Sequence, residues 1–137
     1  MAGLATQETN KSVLDFIDQI ENDTKRNDSN TLIKIMSDIT GHKPKIWGDN
    51  FIVGFGKYKY KRKNGNEEFE WFNVGFAPRK SKLTIYLTFD IDKEQELTSQ
   101  LGKCKWGRGC LYVNKLVDID LEVLKQLIAK SKTNTWQ

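Results

Sequence analysis

At 137 residues the chain has room for one domain, and no apolar run approaches the roughly 20 residues of a membrane span. A hydrophobic fraction of 38% with 11% aromatics excludes a disordered tail. The net charge of +4 hides a split: residues 1–40 carry seven acids against four bases, and the rest carry eleven against eighteen, which biases any partner toward an anion.

The chain opens on a small, polar stretch over 1–9 with neither a basic n-region nor an apolar core, so it predicts a frayed segment rather than a secretory signal. A single domain follows over 10–131, with a polar tail over 132–137. Asn10-Lys11-Ser12 offers N-cap chemistry ahead of Val13, Leu14, Phe16, Ile17 and Ile20, which recur at helical spacing to a stop near Asn22. A second helix is capped either by Asp23-Thr24 or by the run Asn27-Asp28-Ser29-Asn30. It carries Leu32, Ile33, Ile35, Met36 and Ile39 and ends at Gly41 and Pro44. The carboxylates of both helices read as a solvated face.

Strand chemistry begins at Phe51. Ile52 and Val53 continue an apolar run, and after Gly56 the pattern alternates, with Tyr58 and Tyr60 against Lys57, Lys59 and Lys61. The change at Gly54-Phe55-Gly56 predicts a bulge or a close backbone approach. Asn64-Gly65-Asn66 reads as a hairpin turn, followed by a strand from Glu68 to Phe76 and a break at Pro78-Arg79-Lys80-Ser81. A third strand runs from Leu83 to Phe89. Three strands with short links predict an antiparallel meander. Asp90 or Asp92 then caps a short helix closed by Gly102. Leu111-Tyr112-Val113 adds to the sheet, and Asp118 or Asp120 caps a last helix bearing Leu121, Val123, Leu124, Leu127 and Ile128. The predicted order is ααβββαβα, an α+β domain with helices packed on a mainly antiparallel sheet.

Cys104 and Cys110 are too few to staple a secreted fold and lack Cys-x-x-Cys spacing, so they predict reduced thiols in a cytoplasmic protein. With His42 as the one histidine, a Ser/His/Asp arrangement is implausible. The stretch from Gly102 to Cys110 lacks the Gly-Lys-Ser/Thr ending of a phosphate loop. These absences favour a binding module over an enzyme, with no resident cofactor.

Cationic side chains interleaved with aromatics carry the positive signal. Lys57, Lys59 and Lys61 read first as solvent-side strand residues that discourage edge pairing. Arg79, Lys80, Lys103 and Arg108 fall in loops, where binding residues concentrate. Glycines around Lys103 and Arg108 let backbone N–H groups face an oxyanion, and arginine adds bidentate donors. The expected site for a small anionic ligand is therefore Arg79, Lys80, Lys103 and Arg108, walled by Tyr58, Tyr60 and Trp47. Basic and aromatic residues on a sheet also suit single-stranded nucleic acid, which is the runner-up, while no membrane partner is expected.

Several short motifs, in order, resemble the YdhG-like family. They are Trp47-Gly48; Ile52 to Gly56 with Tyr58 and Tyr60; Gly75 to Lys80; Leu83 to Leu87; Gly102-Lys103; and Cys110-Leu111-Tyr112. The resemblance covers roughly residues 10–131 and implies a small bacterial cytosolic α+β domain of unknown function. Its motif positions here are Trp47, Tyr58, Tyr60, Arg79, Lys80, Lys103, Arg108, Cys110 and Tyr112, while Trp106 stands where relatives often have a small residue. A frataxin-like iron-chaperone role attached to part of the family implies iron as cargo. Its carboxylate candidates in this sequence are Asp15, Asp18, Glu21 and Asp23.

Overall fold

The computed structural model describes residues 9–48, 52–61, 65, 68–80, 82–107 and 109–133. Ser12 caps α1 (Val13–Asp18), its side chain accepting from the Asp15 backbone N–H. Asn22 then caps α2 (Asp23–Thr40) by accepting from the Lys25 N–H, and Gly41 closes it in the left-handed region at φ 74°. The alternative start at Asn27–Asn30 is overridden, and those polar residues lie inside the helix. Helix period alone placed Leu32, Ile35 and Met36 on one face, and all three are buried.

The meander is finer-grained than three strands. β1 (Pro44–Trp47), β2 (Ile52–Phe55), β3 (Tyr58–Lys61), β4 (Glu68–Trp71), β5 (Val74–Pro78) and β6 (Leu83–Leu87) precede a 3-10 turn capped by Asp90. After it come α3 (Gln95–Leu101), β7 (Lys105–Trp106), β8 (Cys110–Val113) and α4 (Leu121–Thr133). The Asp120 carboxylate accepts from the N–H groups of Glu122 and Val123 at the start of α4. Six strands form one antiparallel sheet in the order β1-β2-β5-β6-β8-β7, and β3 pairs with β4 apart from it. The mixed α+β class and the mainly antiparallel sheet are as the sequence predicts.

The pairs Phe55↔Val74 and Tyr58↔Trp71 belong to one unbroken register, so β2–β3 and β4–β5 are two arms of a single long hairpin. No residue is inserted at Gly54–Gly56, so the irregularity there is a close approach and not a bulge. Gly56, at φ 75°, lets the arm turn. On the other arm, Phe72 leaves the ladder and its ring crosses onto the face of the main sheet that carries Gly54 and Gly75.

Period-2 alternation divides the sheet into two faces. Ile46, Val53, Phe55, Val74, Phe76, Leu83, Ile85, Leu111 and Val113 point to one face and pack against Ile17, Leu32, Met36, Leu124, Leu127 and Ile128 of the helices. That layer forms the main core. The hydroxyls of Thr88 and Ser131 lock α4 to the sheet: Ser131 Oγ accepts from the Thr88 N–H at 2.9 Å and donates to the Asn73 carbonyl at 2.6 Å. The opposite face, carrying Trp47, Gly54, Gly75, Ala77, Thr84, Tyr86, Cys110, Tyr112 and Lys105, has no helix in its hydrophobic cluster among the described residues. Among the described residues, no helix is long and apolar enough to cross a membrane.

Candidate functional site: a lysine-lined cleft at the sheet edge

Two adjoining clefts open where the β5–β6 turn, the residues around β7 and the end of β8 meet the start of α2. The smaller, of about 140 Å³, is lined by Lys82, Lys103, Cys104, Lys105, Tyr112 and Asn114. The larger, of about 400 Å³, is lined by Asn22, Thr24, Lys25, Lys80, Asn114 and Lys115. Asn114 belongs to both linings, so the two clefts meet at that residue. Six lysines line the clefts and no carboxylate does, among the described residues.

Local structure sets these positions. The register Leu83↔Val113 puts Lys82 across from Asn114, and Lys105↔Tyr112 sets a lysine beside a tyrosine on the helix-free face. Gly102, at φ 118°, is what lets the chain turn from α3 into Lys103, since a Cβ there would come within 2.6 Å of the Asp118 carbonyl. The Lys103 N–H donates to that same carbonyl at 3.1 Å, anchoring the loop. Lys25 fastens the other wall: its ammonium donates to the Lys80 carbonyl at 2.9 Å and to the Arg79 carbonyl. Burial lowers the Lys25 pKa from the ordinary lysine value. It is a clamp that holds the β5–β6 turn against α2, while the other lysines are left to the clefts.

No protein-family model, curated protein or solved structure matches this chain. The site therefore has to be judged on its own groups.

Of the residues singled out in the sequence, Lys80 lines the larger cleft and Lys103 the smaller, and Arg79 shares the β5–β6 turn, its N–H donating to the Lys82 carbonyl. Arg108 lies outside the described residues, as does most of the Asn64–Asn66 turn and the segments 1–8 and 134–137. The aromatic walls are placed differently. Trp47 is fully buried in a second cluster with Ile52, Phe72 and Ala77 and faces neither cleft. Tyr58 sits on β3 opposite Trp71, and Tyr60 on the same strand pairs with Phe69 in backbone register. The ring beside the cations is Tyr112, which is 37% exposed. Lys82, Lys105 and Lys115 are the cations that loop position alone undervalued. The signal for Lys82 and Lys105 was strand parity with Asn114 and Tyr112, and Lys115 simply follows Asn114 in the chain.

Burial pushes both thiols above their ordinary value, and a hydrogen bond with Tyr112 partly offsets this at Cys110. Tyr112 is raised in turn, first by the charge of Cys110 and then by burial. The thiols are thus protonated near neutrality, and neither is an activated nucleophile. As for the iron candidates, Asp15 and Asp18 lie exposed on α1 and Glu21 follows in an exposed link. Asp23 is held by Arg26. Among the described residues, no three His, Cys, Asp or Glu side chains come together to hold a metal ion.

Proposed function

We propose that this domain binds a small anionic ligand, and does so without chemical turnover. One observation carries the reading: six lysines drawn from four stretches of chain, Lys25 as the clamp and five others, line two clefts that share Asn114, with no carboxylate in either lining. Like charges gathered on a fold repel one another and weaken it, so such a grouping is favourable chiefly when an anion is present to share. Binding is preferred to catalysis because the nucleophile in the cleft, Cys104, is held protonated by its burial. The YdhG-like resemblance agrees with the small α+β scaffold but names no ligand.

Thermal denaturation with and without phosphate, pyrophosphate and a tricarboxylate tests the proposal. A ligand at 100 times its Kd adds about 2.7 kcal/mol to wild type. The stabilisation disappears in Lys82→Ala/Lys103→Ala. Equal shifts in wild type and the double variant would place the anion elsewhere and end this reading.

A further inference from the structure

We infer that the anion is the backbone of a single-stranded nucleic acid, its phosphates in the lysine-lined clefts and its bases stacked on the helix-free face of the sheet. This inference rests on the anion reading of the same cleft and narrows it: the small anion is a phosphate group carried on a strand rather than a free ligand. The smaller cleft, at about 140 Å³, is too small for a nucleoside and is sized for a phosphoryl or carboxylate group; pockets that enclose a drug-sized ligand start at roughly 300 Å³. Whatever bears an anion seated there extends out of it, into the larger cleft past Asn114 or onto the sheet past Tyr112, which belongs to the small cleft's own lining.

The rows of that face follow from the register. Thr84, Tyr112 and Lys105 form one row across β6, β8 and β7, and Tyr86 and Cys110 form the next. Tyr112 and Tyr86 are therefore diagonal neighbours on adjacent strands, within reach of each other's fields. Along each strand, same-face residues recur about every 6.6 Å. Lys82 leads to Thr84 and Tyr86 on β6, and Asn114 leads to Tyr112 and Cys110 on β8. On β6 a cation thus stands at one end and a ring at the other, while on β8 Tyr112 sits between Asn114 and Cys110, with Lys105 beside it on β7. Tyr112 is 37% exposed and Tyr86 half-buried, so both residues keep surface open to solvent on this face.

A bare phosphate or polyphosphate makes no use of those rings, whereas a chain of phosphates and bases uses both. An unpaired strand is required, because duplex bases present no free face to stack. Lysines are compact point charges, which suits backbone binding without sequence readout. The carboxylate at that edge, Asp92, accepts from the Trp106 indole N–H and lies on the other side of β7 from Lys105.

Fluorescence anisotropy with a labelled oligothymidylate of about ten nucleotides, an abasic strand of equal length, and pyrophosphate as competitor decides the matter. Wild type should bind the base-bearing strand roughly tenfold more tightly than the abasic one, since stacking adds to an equal charge. Tyr112→Ala should erase that difference and Tyr112→Phe should keep it, with unchanged thermal midpoints showing that both variants are folded. Lys103→Ala and Lys105→Ala should each lower the slope of log affinity against log salt by about 0.7. Equal affinity for the two strands, or indifference to Tyr112→Ala, overturns the nucleic-acid inference. If pyrophosphate still binds at Lys82 and Lys103 in that case, the anion reading survives alone; if no probe binds, both fall.

Discussion

The two halves of the helix-free face solve the same exposure problem in opposite ways. Over β1, β2 and β5 the face is sealed by the chain's own aromatics. Phe72 lies against Gly54 and Gly75, stacks on Trp71 at 4.2 Å, and meets Trp47 and Tyr86 edge-on at 5.5 and 5.8 Å. Over β6, β8 and β7, Tyr86, Cys110, Tyr112 and Lys105 stay at least partly open beside the lysines. A sheet face without helices needs some cover, and here half of it is closed by the Phe72 and Trp71 rings of the long hairpin. The other half has no such seal among the described residues. On the proposed reading, stability belongs to the sealed half and binding to the open one, a division that substitutions can break.

The sealed half should give the largest effect. Removing its central ring in Phe72→Ala is expected to cost about 3–5 kcal/mol, read by urea denaturation, because the ring is wholly buried between Trp47 and Tyr86. A loss under about 1 kcal/mol would mean that the aromatic seal adds little to the fold. Next comes Gly54→Ala, expected at about 1–3 kcal/mol from overpacking. Its new Cβ would lie 2.7 Å from the Trp47 ring and 2.8 Å from Phe72. In a Phe72→Ala background that penalty should shrink, since half of the clash is gone. Additive effects would show that the two residues do not share one contact.

Alkaline pH sharpens the contrast from the open half. The folded-state values of Cys104 and Cys110 are raised by burial. Below the ordinary thiol value of 9.0 both states keep the proton, and no stability depends on it. As pH rises past 9.0 the unfolded chain loses the proton while the fold retains it, so stability falls. Lys25, lowered by burial, acts with the opposite sign below 10.5, where the unfolded chain holds more protons and stability rises with pH. Cys104→Ser and Cys110→Ser isolate the thiol contribution: denaturation midpoints between pH 8 and pH 10 should fall less steeply in the double variant than in wild type. An unchanged slope would remove the thiols as its cause.

Much of this division was legible from the sequence, and the part that was not has a physical cause. The helices announced themselves through period and caps, as at Ser12, Asp90 and Asp120, because those signals are local. β1 and β7 were missed because four and two residues are too short to show alternation, and each becomes a strand only through pairing with β2 or β8. Trp47 was read as a wall of an open site because strand parity does put it on the helix-free face. What buries it is Phe72, twenty-five positions later in the chain, after a turn in the hairpin that no local pattern encodes. The cations of the clefts were visible as charges, yet which of them converge depended on the register across Asn114.

The smallest stability effect should come from Tyr112, and it tests the division most directly. Its ring touches the cleft and Cys110 but belongs to neither buried cluster. Tyr112→Ala should therefore shift stability by no more than about 0.5 kcal/mol, as surface substitutions away from packed features do. The same change should abolish the preference for base-bearing strands. A loss of several kcal/mol instead would place Tyr112 with Phe72, as a cover for Thr84, which is only 8% exposed beneath the two tyrosines' strands. The open half would then be a second, looser seal, and the lysines would need an anion that sits in the cleft without touching the sheet. Thermal midpoints and strand affinities measured on one preparation of Tyr112→Ala separate the two cases, because a seal moves the first and a platform moves the second.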